Sequence, residues 1–119
     1  MNSSPNLKMA NKIIVHSQFE RDFKKLSKKY PSFPQDVREL VNELKRDSQL
    51  GTSLGRNLRK IRLRIKSKGS GKSGGARVIT YVVIVEETVY LLSAYDKSEQ
   101  VDISASDLKR LAADIERGL

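Results

Sequence analysis

Apolar positions along the 119-residue chain change their period several times, and each change marks an element. Lys12 to His16, with Ile13, Ile14 and Val15 in a row, reads as a short strand rich in β-branched residues. Ser17-Gln18-Phe19-Glu20 has the form of a capping box, with Ser at the N-cap and Glu three residues later. Behind it Phe19, Phe23, Leu26 and Tyr30 recur at helical spacing, and Pro31 ends that helix. Ser32-Phe33-Pro34-Gln35 looks like a second box, with Pro34 tolerated in the first turn. Val37, Leu40, Val41 and Leu44 form the stripe of a second helix, and Gly51 to Gly55 reads as a loop. The period then drops to two: Ile61, Leu63 and Ile65 alternate with Lys60, Arg62, Arg64 and Lys66, so one set faces a core and the other faces out. Gly69 to Gly75 is a Gly/Ser/Lys loop. Val78 to Val85 is apolar on both faces, as a central strand is. Glu86-Glu87-Thr88 turns the chain into a strand over Val89 to Tyr95. Ser104-Ala105-Ser106-Asp107 caps a last helix with Leu108, Leu111, Ala112 and Ile115 on its core side.

The predicted order is β-α-α-β-β-β-α, an α+β domain. We expect a small two-layer domain: an antiparallel sheet of about four strands, with two N-terminal helices and one C-terminal helix over one face. The basic strand side chains then lie on the other face or at its edge. The length suits one domain, read as a polar flexible leader over 1–11 and a single domain over 12–119.

Charge sharpens this picture. The net charge is +9, from 23 basic and 14 acidic residues. Residues 56–77 hold nine of the basic side chains and no acid, whereas the other 97 residues carry 14 of each sign. The whole excess sits in one stretch, which points to a polyanion, nucleic acid by default. Lys60, Arg62, Arg64 and Lys66 repeat about 7 Å apart along one side of the strand, close to the spacing of successive phosphates. Arg77 opens the next strand, and a hairpin would bring it beside this row. Lys68 and Lys72 extend the basic block as RNA-binding candidates.

Other chemistry is sparse. The chain has no Cys and a single His, so a disulfide framework, a thiolate nucleophile and a multi-histidine metal site are all out; no metal or cofactor is expected. No stretch approaches the roughly 20 apolar residues of a membrane span, and the start lacks the apolar run of a signal peptide, so a cytoplasmic protein is expected. The Gly71-Lys72-Ser73 triplet is not a P-loop, because Lys66 stands where its leading Gly is required. Asp96 and Glu99 read as solvated turn acids, Glu99 with a weak claim as a base near the basic face. Tyr95 and Lys97 end the last strand. This inventory suits RNA cleavage without metal, in which the 2′-hydroxyl is the nucleophile and Arg and Lys stabilise the charge that builds on phosphorus.

Three runs carry a resemblance: LRKIRLRIKSKG (58–69), GKSGGARVITYV (71–82) and YLLSAYDKSE (90–99). Together they resemble the RelE/ParE toxin superfamily, above all its HigB/RelE-like branch, with its G-K-x-G-G-x-R-[VI]-I-Y-Y and Y-L-L-x-x-Y-x-K-x-E runs. The resemblance implies a toxin of a type II toxin–antitoxin system, neutralised by a cognate antitoxin. It further implies a ribosome-dependent mRNA endonuclease, an mRNA interferase that cuts in the A site and leaves a 2′,3′-cyclic phosphate and a 5′-hydroxyl. By position, Arg62 and Arg64 match family cations that contact the reacting RNA. Arg77 matches the arginine that holds the scissile phosphate, and Lys97 a cation after the last strand. Ile103 stands where RelE has a functional tyrosine, so the resemblance leaves Tyr95, Lys97 or Glu99 to handle protons. Two alternatives stay open: a ParE-like toxin that poisons gyrase by binding, and a basic nucleic-acid-binding module that cuts nothing.

Overall fold

The structure, a computed structural model, describes residues 8–68 and 74–118. It contains β1 (Lys12–Val15), α1 (Ser17–Lys29), α2 (Phe33–Arg46), β2 (Thr52–Gly55), β3 (Leu58–Leu63), β4 (Ala76–Val83), β5 (Thr88–Asp96) and α3 (Ala105–Gly118). The strands form one sheet in the order β1-β5-β4-β3-β2. The α+β class and the place of all three helices are as the sequence pattern predicts.

Three features differ from that expectation. The sheet has five strands, because the expected loop over Gly51 to Gly55 contains β2, paired antiparallel with β3. Four short, mostly exposed residues carry no periodic signal; they become a strand only because β3 offers an open edge. The hairpin turns through Arg56 and Asn57, both at positive φ (54° and 69°), which suits the right-handed twist of the paired strands. Secondly, the sheet is mixed: β1 runs parallel to β5, with Ile13 opposite Val89 and Val15 opposite Leu91. Thirdly, the helices do not share a face. α1 and α2 place Phe19, Leu26, Phe33, Val37, Leu40 and Leu44 against Ile61, Val78, Val82 and Leu91. α3 places Leu111, Ala112 and Ile115 against Leu58, Ile79, Tyr81, Tyr90 and Leu92 on the opposite face. The domain is therefore three layers rather than two. β4 and β5 are apolar on both faces because both faces are covered.

The helix starts show what capping depends on. His16, not Ser17, is the N-cap of α1; its ring Nδ1 accepts the Gln18 N–H at 2.9 Å. At α2 the Ser32 hydroxyl makes no backbone cap. It donates to Asp36 and accepts the Ser67 N–H, so it ties the helix start to the chain after β3. Ser104 does cap α3, accepting the Asp107 N–H at 3.1 Å. Residues 8–11, the end of the polar leader, bond to the body through Ala10 N–H to Lys45 O and Ser48 N–H to Lys8 O.

One irregularity decides what faces what. Along β4 and β5, Ile79 pairs with Ser93 and Thr80 with Leu91, so Leu92 is an extra residue. Such a bulge shifts side-chain parity by one. Beyond it Tyr95 stands on the α3 face and Asp96 on the α1/α2 face.

Candidate functional site

The alternation of β3 sends Ile61 and Leu63 into the α1/α2 core and leaves Lys60 and Arg62 on the other face. Register then builds a row across three strands. Arg62 on β3 lies opposite Arg77 on β4, and Arg77 lies opposite Tyr95 on β5. The next row toward α3 is Lys60, Ile79 and Ser93. On the other side Arg64 follows β3, and Lys97 follows β5, its N–H bonded to Gly75 O at 3.0 Å. Arg62, Arg64, Arg77, Tyr95 and Lys97 thus come from three separate stretches of sequence to one end of one sheet face, with Lys60 beside them.

The local backbone suits this convergence. Gly75 has φ +58, and a Cβ there would stand 2.7 Å from Leu63 O, so the loop enters β4 against β3 only without a side chain. Two residues on, Arg77 is 6% exposed. Its Nη1 donates to Gly74 O at 3.0 Å and Ala76 O at 3.2 Å, which orients the guanidinium. Arg62 and Arg64 are exposed, and no ion pair engages either of them among the described residues. α3 packs on the far part of this face, against Leu58, Ile79, Tyr81, Tyr90 and Leu92. The cationic end thus combines a buried, oriented Arg77 with the exposed Arg62 and Arg64.

Tyr95 is buried, and its hydroxyl donates to Asp102 Oδ1 at 3.1 Å. Burial, and after it this bond to a carboxylate, push the phenol up to about 12. It therefore keeps its proton at neutral pH. The same Asp102 oxygen accepts the Ile103 N–H at 2.9 Å and pairs with the Lys60 ammonium at 3.3 Å. The Ile103 N–H first, then Tyr95 and Lys60, hold the Asp102 carboxyl below its usual range. Asp102 carries no signal in sequence: it stands in a polar stretch before α3, 42 residues from Lys60.

The remaining candidates lie elsewhere. Lys66 pairs with Glu39 of α2 at 2.7 Å. Lys68 reaches Asp96 at 2.8 Å, and its ammonium stands 5.5 Å from the Tyr30 ring centroid. Glu99 pairs with Lys29 of α1. These three make their ion pairs on the α1/α2 side, while the Lys68 ammonium also stands against Gly74, whose carbonyl holds Arg77. Lys72 lies outside the described residues. Asp96, read from sequence as a solvated turn acid, is a buried carboxylate with no side-chain exposure. Burial opposes its ionisation, but hydrogen bonds from Lys68, Tyr30 and Ser98 outweigh that and hold it well below the usual carboxyl range.

Among the described residues no group of three or more His, Cys, Asp or Glu is placed to hold a metal ion. Nor, among the described residues, is any helix long and apolar enough to cross a membrane. An apolar groove of about 450 Å³ between β1, α1 and α2, lined by Val15, Phe19, Phe23 and Val41 among others, lies away from the cations.

Comparison with known proteins agrees with this architecture. The family described as the RelE toxin of the RelE/RelB toxin–antitoxin system matches residues 12–116. Among solved structures, the fold is similar to a double arginine-to-alanine mutant of the Escherichia coli toxin RelE in the free state. The TM-score is 0.56 at 17% identity, covering 78% of this chain and 90% of that one.

Proposed function

The chain belongs to the RelE toxin family, and from that premise we propose that it is a ribosome-dependent mRNA endonuclease that cleaves without metal. Membership makes it the toxin of a type II toxin–antitoxin system, with a cognate antitoxin as partner. The observation that carries the catalytic reading is the pairing of Arg62 with Arg77 across β3 and β4, on a sheet end where acids are scarce.

RNA brings its own nucleophile. When the 2′-oxygen attacks phosphorus and the 5′-oxygen departs, negative charge builds on the two non-bridging oxygens. Two guanidinium groups side by side meet that charge with planar, forked donors. Arg77, held by the Gly74 and Ala76 carbonyls, is pre-oriented, and donors that need no rearrangement contribute most to transition-state stabilisation. Arg64 and Lys97 flank the row along the phosphate track, and Lys60 stands two residue pairs above it, the next position on the same face. Ribosome dependence suits such a site, because a ribosome-held mRNA arrives with its scissile phosphate already aligned.

The test is primer extension on a defined mRNA in a reconstituted translation system, with and without the protein. Codon-phased cuts that require ribosomes are the expected result. Intact mRNA with normal translation would remove this reading. Blocked replication with intact mRNA would point to the gyrase-directed alternative, and salt-sensitive binding alone to a non-catalytic module.

A further inference from the structure

Tyr95, Asp102 and Lys60 form a chain of contacts that ends at the arginine row. Its inner end is fixed. Tyr95 is packed in the α3-side core with Ile79, Leu92 and Leu111, so its hydroxyl has one place to be. The middle is fixed as well. Asp102 Oδ1 receives the Tyr95 hydroxyl and the Ile103 N–H, while Asp102 O accepts from Gln100 Nε2 at 2.9 Å. The segment is further tied down by Lys97 Nζ, which donates to Val101 O at 2.9 Å. The outer end is Lys60. It has a long flexible stem, and like charges on Arg62 and Arg77 in the adjoining row push its ammonium away from the site. Among the described residues, the Asp102 carboxylate is the one acid paired with it, at 3.3 Å, and pulls it back across the sheet.

We propose that Asp102 is a positioning residue of the RNA site, holding the Lys60 ammonium beside the Arg62–Arg77 row, with Tyr95 acting as the support that aims the carboxylate. This rests on the endonuclease reading above. Lys60 touches the RNA; Asp102 and Tyr95 act through it. The arrangement also explains why a carboxylate stands among cations that must attract an anion. Its charge costs some affinity for RNA, and in return the ammonium is placed before the substrate arrives.

That trade separates positioning from a merely structural role. Asp102→Asn keeps an oxygen to accept from Tyr95 but loses the charge that holds Lys60, and the side chain is 57% exposed, so the fold tolerates the change. The expected result is a single-turnover cleavage rate, at saturating programmed ribosomes, lowered about tenfold, with ribosome affinity unchanged or tighter. Asp102→Glu should recover part of the rate. In a Lys60→Ala background, Asp102→Asn should cost nothing further, because the residue has lost the group it acts through. A rate within twofold of wild type, or an equal loss in both backgrounds, would overturn the proposal. A second readout stands apart from cleavage: the ¹⁵N ammonium signal of Lys60 in the free protein, assigned by Lys60→Arg. It should be restrained in the wild type and fast-exchanging in Asp102→Asn and Tyr95→Phe. If wild-type protein cuts no mRNA, the endonuclease reading fails, and this signal still decides whether Asp102 holds Lys60. A signal unchanged in both variants would reject that hold.

Discussion

Tyr95 and Asp96 are neighbours in sequence and stand on opposite faces of the same sheet, and the two faces treat their cations in opposite ways. On the Asp96 side three lysines are paired with acids: Lys68 and Lys29 converge on Asp96, Lys29 also on Glu99, and Lys66 on Glu39. On the Tyr95 side Arg62, Arg64 and Arg77 outnumber Asp102, the carboxylate that engages Lys60. The comparison teaches that a basic stretch is not one patch. A cation paired to a carboxylate on the Asp96 side is part of the scaffold; the exposed Arg62 and Arg64, which no ion pair engages among the described residues, are free to meet a phosphate.

The sharpest way to break the comparison is to remove the central arginine. Arg77→Ala should lower cleavage about 10²–10³-fold, the usual loss for one pre-oriented donor to a developing anion. Arg77→Lys should fall between, since it keeps the charge but not the fork. Single-turnover kinetics together with a thermal melt would check this, and an active, folded Arg77→Ala would remove the site.

On the opposite face the expected effect is on stability. Asp96→Asn leaves Lys68 and Lys29 without their shared buried partner and should cost about 3 kcal/mol in urea unfolding. Cleavage per folded molecule should be preserved. A loss of cleavage with full stability would mean that the two faces are not separate.

The same carboxylate sets a pH dependence. Because the folded state holds Asp96 below its unfolded value of about 3.9, the unfolded chain binds the proton more readily in acid. Its contribution is complete well above that value and is lost as pH falls through it toward the lower folded one. Unfolding curves from pH 6 to pH 2 should show wild-type stability falling more steeply than that of Asp96→Asn.

Smaller effects refine the contrast. Arg62→Ala should reduce the salt dependence of RNA binding by about one counterion's worth of slope, measured in a titration over salt concentration. Lys66→Ala breaks an exposed pair with Glu39 and should leave the urea midpoint nearly unchanged, with a smaller change in salt slope than Arg62→Ala.

Much of this architecture is written in local pattern. The stripes of α1, α2 and α3 are set by residues three and four apart, and Ser104 caps α3 as its spacing implies. Alternation in β3 separates Ile61 and Leu63 from Lys60 and Arg62, and Arg77 follows directly in the next strand. The pairing of Arg62 with Arg77 was therefore legible before any fold was known. Asp102 was not, because its partners are brought to it by β3 and β5 and nothing near it in sequence marks it. Lys66, Lys68 and Glu99 looked equivalent to the site cations or close to them, because pairing with Glu39, Asp96 and Lys29 joins residues 27 to 70 positions apart.

What the chain determines by itself is the set of elements and which side chains of β3 point together, since both follow from periodicities of two and of 3.6 within a few residues. What only the tertiary structure decides is the parallel seat of β1, the existence of β2, the face taken by α3, and the parity of β5 beyond Leu92. That last choice places Tyr95 with the arginines and Asp96 with the lysines. β5 is buried on both faces, so its sequence has no alternation in which a one-residue bulge can be read. The bulge is set by the pairing with β4, and pairing exists only once the sheet has formed.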